Sequence, residues 1–82
     1  MSAEAAGAAT VHLDLKGLKC PLPALRTRKA LAGLPPGTVL VVTCTDPMSV
    51  IDIPHLARET GNAFEGKTCE AGVLTFTLRR AG

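Results

Sequence analysis

The sequence predicts a two-layer α/β (α+β) sandwich in the order βαβαββ, a four-stranded mixed sheet carrying both helices on one face. Three observations lead there. Val11-His12-Leu13-Asp14-Leu15 alternates apolar and polar side chains as a half-buried strand does, whereas Val39-Leu40-Val41-Val42-Thr43-Cys44 is a continuous, largely β-branched run suited to the centre of a sheet. Two further stretches open on proline-bearing helix starts and stop at glycine. The chain closes on a weak strand reaching Glu70 and a clear one, Val73 to Leu78, joined by Ala71-Gly72 as a hairpin.

Gly17 breaks the first strand, and Cys20-Pro21-Leu22-Pro23 opens a helix running to about Ala32. On a helical wheel Ala24, Thr27, Leu31 and Leu34 share a core side, with Ala30 at its margin, while Leu25, Arg26 and Lys29 point elsewhere. Gly33-Leu34-Pro35-Pro36-Gly37 then ends the helix, since proline has no N–H to continue it. Thr45-Asp46-Pro47 is the second helix start, with Thr45 or Asp46 able to cap and Pro47 tolerated in the first turn. This helix is expected to end at Gly61. Asp52-Ile53-Pro54 inside it is itself a start signal, predicting a kink or a short turn followed by a helix.

Eighty-two residues make one small domain; the alanine-rich residues 1–9 read as a disordered tail and residues 10–82 as the folded part. The N-terminus lacks the positive region of a secretory signal, and no apolar run approaches the roughly 18 residues needed to span a bilayer. With hydrophobic residues at 46% but aromatics at 2%, the core must be aliphatic, and no aromatic platform exists for stacking bases. A net charge of +2 also argues against direct nucleic-acid binding. Cys20, Cys44 and Cys69 lie about 25 residues apart, which fits neither a zinc site nor a disulfide framework, so they read as thiols of a reducing cytoplasm. No metal or cofactor is expected.

Cys20 is the candidate reactive residue. A helix start favours a thiolate through free N–H groups and partial positive charge, and Pro21 and Pro23 stiffen the approach to that start. The N–H groups of Leu22, Ala24 and Leu25 are the donors expected to face the anion, with Lys19, Arg26 and Arg28 as nearby cations. Neither His12 nor His55 carries a signature of a cysteine hydrolase. Exchange of sulfur needs no base if the thiolate is already formed.

Leu15-Lys16-Gly17-Leu18-Lys19-Cys20-Pro21-Leu22-Pro23, followed by a basic helix, resembles the TusA/SirA-like sulfur carriers, whose hallmark is Cys-Pro-x-Pro. The likeness continues through Leu34-Pro35-Pro36-Gly37, Asp46-Pro47, Asp52-Ile53-Pro54 and the closing hairpin ending in Arg79-Arg80. The resemblance implies a βαβαββ fold and a Cys20 that takes sulfane sulfur as a persulfide from a cysteine desulfurase or rhodanese-like donor. It further implies delivery to an acceptor protein serving transfer RNA thiolation, molybdenum cofactor enzymes or sulfur oxidation.

The remaining candidates each have two readings. If the first two strands are parallel in a right-handed βαβ unit, Cys44 and Asp46 fall on the Cys20 side. Cys44 is then either a core thiol or a resolving thiol, and Asp46 either a helix cap or a residue orienting Cys20. Asp52 reads as a cap too, and Cys69 has no assigned role. Lys19, Leu25, Arg26 and Lys29 form either a solvated flank or a docking patch. The competing functions are a non-catalytic interaction module and a thiol redox sensor.

Overall fold

The computed structural model describes residues 9–81. The elements are β1 (Thr10–Asp14), α1 (Leu22–Ala32), β2 (Val39–Cys44), α2 (Ser49–Glu59), β3 (Ala63–Glu70) and β4 (Val73–Arg79), the predicted order. The sheet runs β1-β2-β4-β3, with β1 parallel to β2 and the other pairs antiparallel. Of the expected tail, residues 1–8 lie outside the described residues. Ala9 belongs to the folded part, its carbonyl accepting from the Val39 N–H at 2.9 Å.

The core follows from period-two patterning on the two central strands. Leu40 faces Leu78, Val42 faces Phe76 and Cys44 faces Leu74, and all six side chains are buried under the helices. Leu31 from α1 and Ile53, Leu56 and Ala57 from α2 close the layer. Thr27 is fully buried as well, and its hydroxyl donates to the Pro23 carbonyl at 2.7 Å, so the polar group adds no unpaired donor. The hairpin turn places Ala71 at φ 52° and Gly72 at φ 82°, the two left-handed positions of a tight two-residue loop.

Helix α2 differs from expectation. It is one continuous helix with Pro54 inside it, neither broken nor restarted at Asp52. The helix begins at Ser49, and Asp46-Pro47-Met48 form a preceding turn in which the Asp46 carbonyl accepts from Ser49. Pro54 is the sixth of its eleven residues, and its missing N–H deprives the Val50 carbonyl of a partner. The residue at the cap position is Met48, without a side-chain cap. Thr45 and Asp46 are left free to bond elsewhere.

Candidate functional site

The parallel β1-α1-β2 unit brings the C-terminal ends of β1 and β2 together, and the turn after β2 grips the loop after β1. Thr45 Oγ1 accepts from the Gly17 N–H at 2.9 Å, and Asp46 Oδ2 accepts from the Cys20 N–H at 2.7 Å. Gly17 itself takes φ 88°, a left-handed conformation that a side chain would strain. Cys20 then passes through a cis peptide to Pro21, and its thiol is exposed.

Asp52, in the first turn of α2, completes the site: the Cys20 Sγ donates to Asp52 Oδ2 at 3.2 Å. The cap reading of Asp52 is thereby corrected, whereas Asp46 meets both of its readings. Asp46 bonds the Cys20 backbone, touching the α2 approach only through a long 3.5 Å contact with the Met48 N–H. Asp52 bonds the sulfur.

These carboxylates oppose the thiolate that the helix start was expected to favour. The thiol is pushed up from its ordinary range by the hydrogen bond to Asp52, then by partial burial, then by the negative charges of Asp52 and Asp46. Both carboxylates thus favour the protonated thiol over the thiolate. The donors expected to offset this are mostly engaged, since the Leu22 N–H goes to the Lys19 carbonyl at 2.8 Å and the Leu25 N–H to that of Pro21 at 3.1 Å. Removing one carboxylate should show the effect: Asp46→Ala is expected to cost about 1 kcal/mol in urea unfolding, from the lost charge-assisted hydrogen bond, and to speed iodoacetamide alkylation of Cys20 at pH 7. Unchanged stability and unchanged alkylation together would contradict this account of the site.

Cys20 opens into a groove of about 210 Å³ between the helices. Pro21, Ala24, Leu25 and Arg28 line it from α1 and its approach, and Asp52, His55, Leu56 and Glu59 from α2. Its middle is apolar and its far end charged, with His55 and Glu59 paired at 3.7 Å. Of the residues expected to form a docking patch, only Leu25 joins this groove. Arg26 and Lys29 are exposed but do not line it, and Lys19 lines a separate depression with Gly17, Leu18, Thr45, Asp46 and Pro47. Cys44 is fully buried, its thiol pushed up first by burial, so the structure places it in the core and not in the groove. Cys69 is exposed on edge strand β3.

The site is thus an exposed cysteine on a short turn before a helix, in a two-layer βαβαββ sandwich. The family model described as Sulfurtransferase TusA matches residues 11–80, and the chain belongs to that family. It is 42% identical over 70 residues to "Sulfur carrier protein TusA" of Allochromatium vinosum, covering 85% of this chain and 92% of that protein. It is 39% identical over 74 residues to "Putative sulfur carrier protein YrkF" of Bacillus subtilis, covering 90% of this chain but 40% of that longer protein. Among solved structures, a SirA-like protein from Desulfitobacterium hafniense superposes with a TM-score of 0.77 at 27% identity, covering 88% of this chain and 99% of that one. The family and the fold together assign a sulfur-carrier role. No helix among the described residues is long and apolar enough to cross a membrane.

Asp52, His55, Leu56 and Glu59 are groove residues that the sequence did not mark as functional. Their signal was the spacing of Asp52, His55 and Glu59 along one side of α2. That side acquires meaning only when α1 packs beside it.

Proposed function

We propose that Cys20 accepts the outer sulfur of a persulfide on a donor protein of the cysteine desulfurase or rhodanese type, and passes it to a thiol of an acceptor protein in the cytoplasm. The observation that carries this reading is the exposed Cys20 thiol, anchored through its own N–H and standing at the mouth of a groove that a partner's chain can enter. The groove contains no other cysteine, which favours transfer to a partner over an internal disulfide. Pro21 and Pro23 supply the frame, and Leu25 with Arg28 the partner-facing wall.

The test is intact-mass spectrometry after incubation with a cysteine desulfurase and cysteine. The expected result is gain of one sulfur atom, removed by a thiol reductant and handed on when an acceptor thiol is added. A mass that stays unchanged with competent donors overturns the reading in favour of a non-catalytic interaction module. A Cys20 disulfide formed with oxidant alone, without sulfur uptake, would indicate a redox sensor.

A further inference from the structure

Asp52, the acidic residue in the first turn of α2, reaches the Cys20 sulfur at 3.2 Å across 32 positions of the chain. It does not cap α2, whose cap residue is Met48 without a side-chain bond, and among the described residues it enters no ion pair. Its carboxylate faces the groove alongside the sulfur, with Pro21, Ala24, Leu25 and Leu56 supplying apolar walls. A partner seated there would exclude water from the pair. The other charged groups around it are Asp46 below the Cys20 backbone, Arg28 on α1, and His55 and Glu59 further along α2.

We propose that Asp52 is a catalytic residue of the sulfur exchange, taking the Cys20 thiol proton as the persulfide is loaded and returning a proton as it is delivered. The proposal rests on the reading that Cys20 carries sulfur. In loading, a lone pair on Cys20 Sγ forms a bond to the outer sulfur of the donor persulfide while that sulfur's bond to the donor cysteine breaks. The electron pair leaves on the donor sulfur as a thiolate. The Cys20 proton moves along the existing Sγ to Oδ2 hydrogen bond to Asp52 and from there neutralises the departing donor thiolate. The sum is donor persulfide plus Cys20 thiol giving donor thiol plus Cys20 persulfide, with no external oxidant or reductant. In delivery the acceptor thiol attacks the outer sulfur as its proton passes to Asp52, Cys20 Sγ leaves with the electron pair, and that proton moves from Asp52 to Sγ to restore the Cys20 thiol. The sum is Cys20 persulfide plus acceptor thiol giving Cys20 thiol plus acceptor persulfide, and Asp52 ends as the carboxylate it began as.

The same contact that assists exchange holds the unloaded thiol protonated, so removing it acts in opposite directions on two reactions. In Asp52→Asn, alkylation of Cys20 by iodoacetamide at pH 7, which needs only thiolate, is expected to rise severalfold. The rate of sulfur loading from a desulfurase charged with cysteine is expected to fall on the order of 10²-fold, the lower end of the usual effect of a positioned acid–base group. Asp52→Glu, which restores a carboxylate, should recover most of the loading rate. Far-UV circular dichroism of both variants checks that they are folded. If alkylation and loading both rise, Asp52 merely suppresses the thiolate and the proposal is wrong; it is also wrong if neither changes. Wild-type protein that gains no sulfur from a competent donor would instead overturn the sulfur-carrier reading itself.

Discussion

Cys20→Ser is expected to abolish uptake of sulfur from a charged desulfurase, with the intact mass staying at the unmodified value under conditions that load the wild type fully. A serine hydroxyl keeps the shape, the backbone N–H to Asp46 and a donor toward Asp52, so the site stays assembled while the one atom able to form a sulfur–sulfur bond is gone. Because residue 20 is exposed, stability should change by no more than about 0.5 kcal/mol, and loss of uptake cannot be blamed on unfolding. The two other thiols give the complementary result. Cys44→Ala removes a fully buried core thiol and should lower stability by roughly 1 kcal/mol while leaving loading and release intact. Cys69→Ser on the exposed edge strand should change neither. Sulfur gain persisting in Cys20→Ser would move the carrier role to one of those thiols, and impaired release in Cys44→Ala would revive the resolving-thiol reading.

The sequence carried the layered architecture well because local and global preferences agree along the central strands. The run from Val39 to Cys44 is a strand on β-propensity alone, and its alternate members Leu40, Val42 and Cys44 are those that the helices bury. The β4 run behaves the same way, with Leu74, Phe76 and Leu78 inward. Where local rules and tertiary contacts compete, the sequence misleads. Asp46 before Pro47 is a capping pattern, yet the Cys20 N–H, 26 positions away, claims its carboxylate at 2.7 Å. The electrostatics around Cys20 depart from the local pattern for a related reason. A helix start contributes about half a positive charge, screened and shared among several N–H groups, whereas Asp52 and Asp46 bring whole negative charges, one in direct hydrogen-bond contact with the sulfur. Both carboxylates arrive from chain segments whose proximity no local pattern encodes.

Phe76→Ala is expected to be the most damaging single substitution in the core, at about 3–5 kcal/mol. Phe76 is fully buried at the centre of β4, opposite Val42 on one side and Lys67 on the other, with its ring centroid 6.3 Å from that of Phe64. The chain has only these two aromatic residues, so apart from Phe64 on the edge strand no ring can expand into the cavity left behind. A domain of this size has on the order of 4–10 kcal/mol of stability in total, so at the lower end of that range the variant lies close to its unfolding midpoint at room temperature. Urea unfolding followed by far-UV circular dichroism measures the loss directly, and Phe64→Ala, a residue 38% exposed on the edge strand, should cost well under half as much. A loss below about 1.5 kcal/mol for Phe76 would mean that the core collapses around the cavity. The substitution also separates reactivity from function. Unfolding carries Asp46 and Asp52 away from Cys20, so its thiol returns to the ordinary range and alkylates faster at neutral pH. Loading from a protein donor, which needs the interhelical groove, should meanwhile fall with the folded fraction. A faster thiol with slower transfer is the outcome to expect if the sandwich around Cys20, and not the reactivity of the thiol alone, makes the carrier.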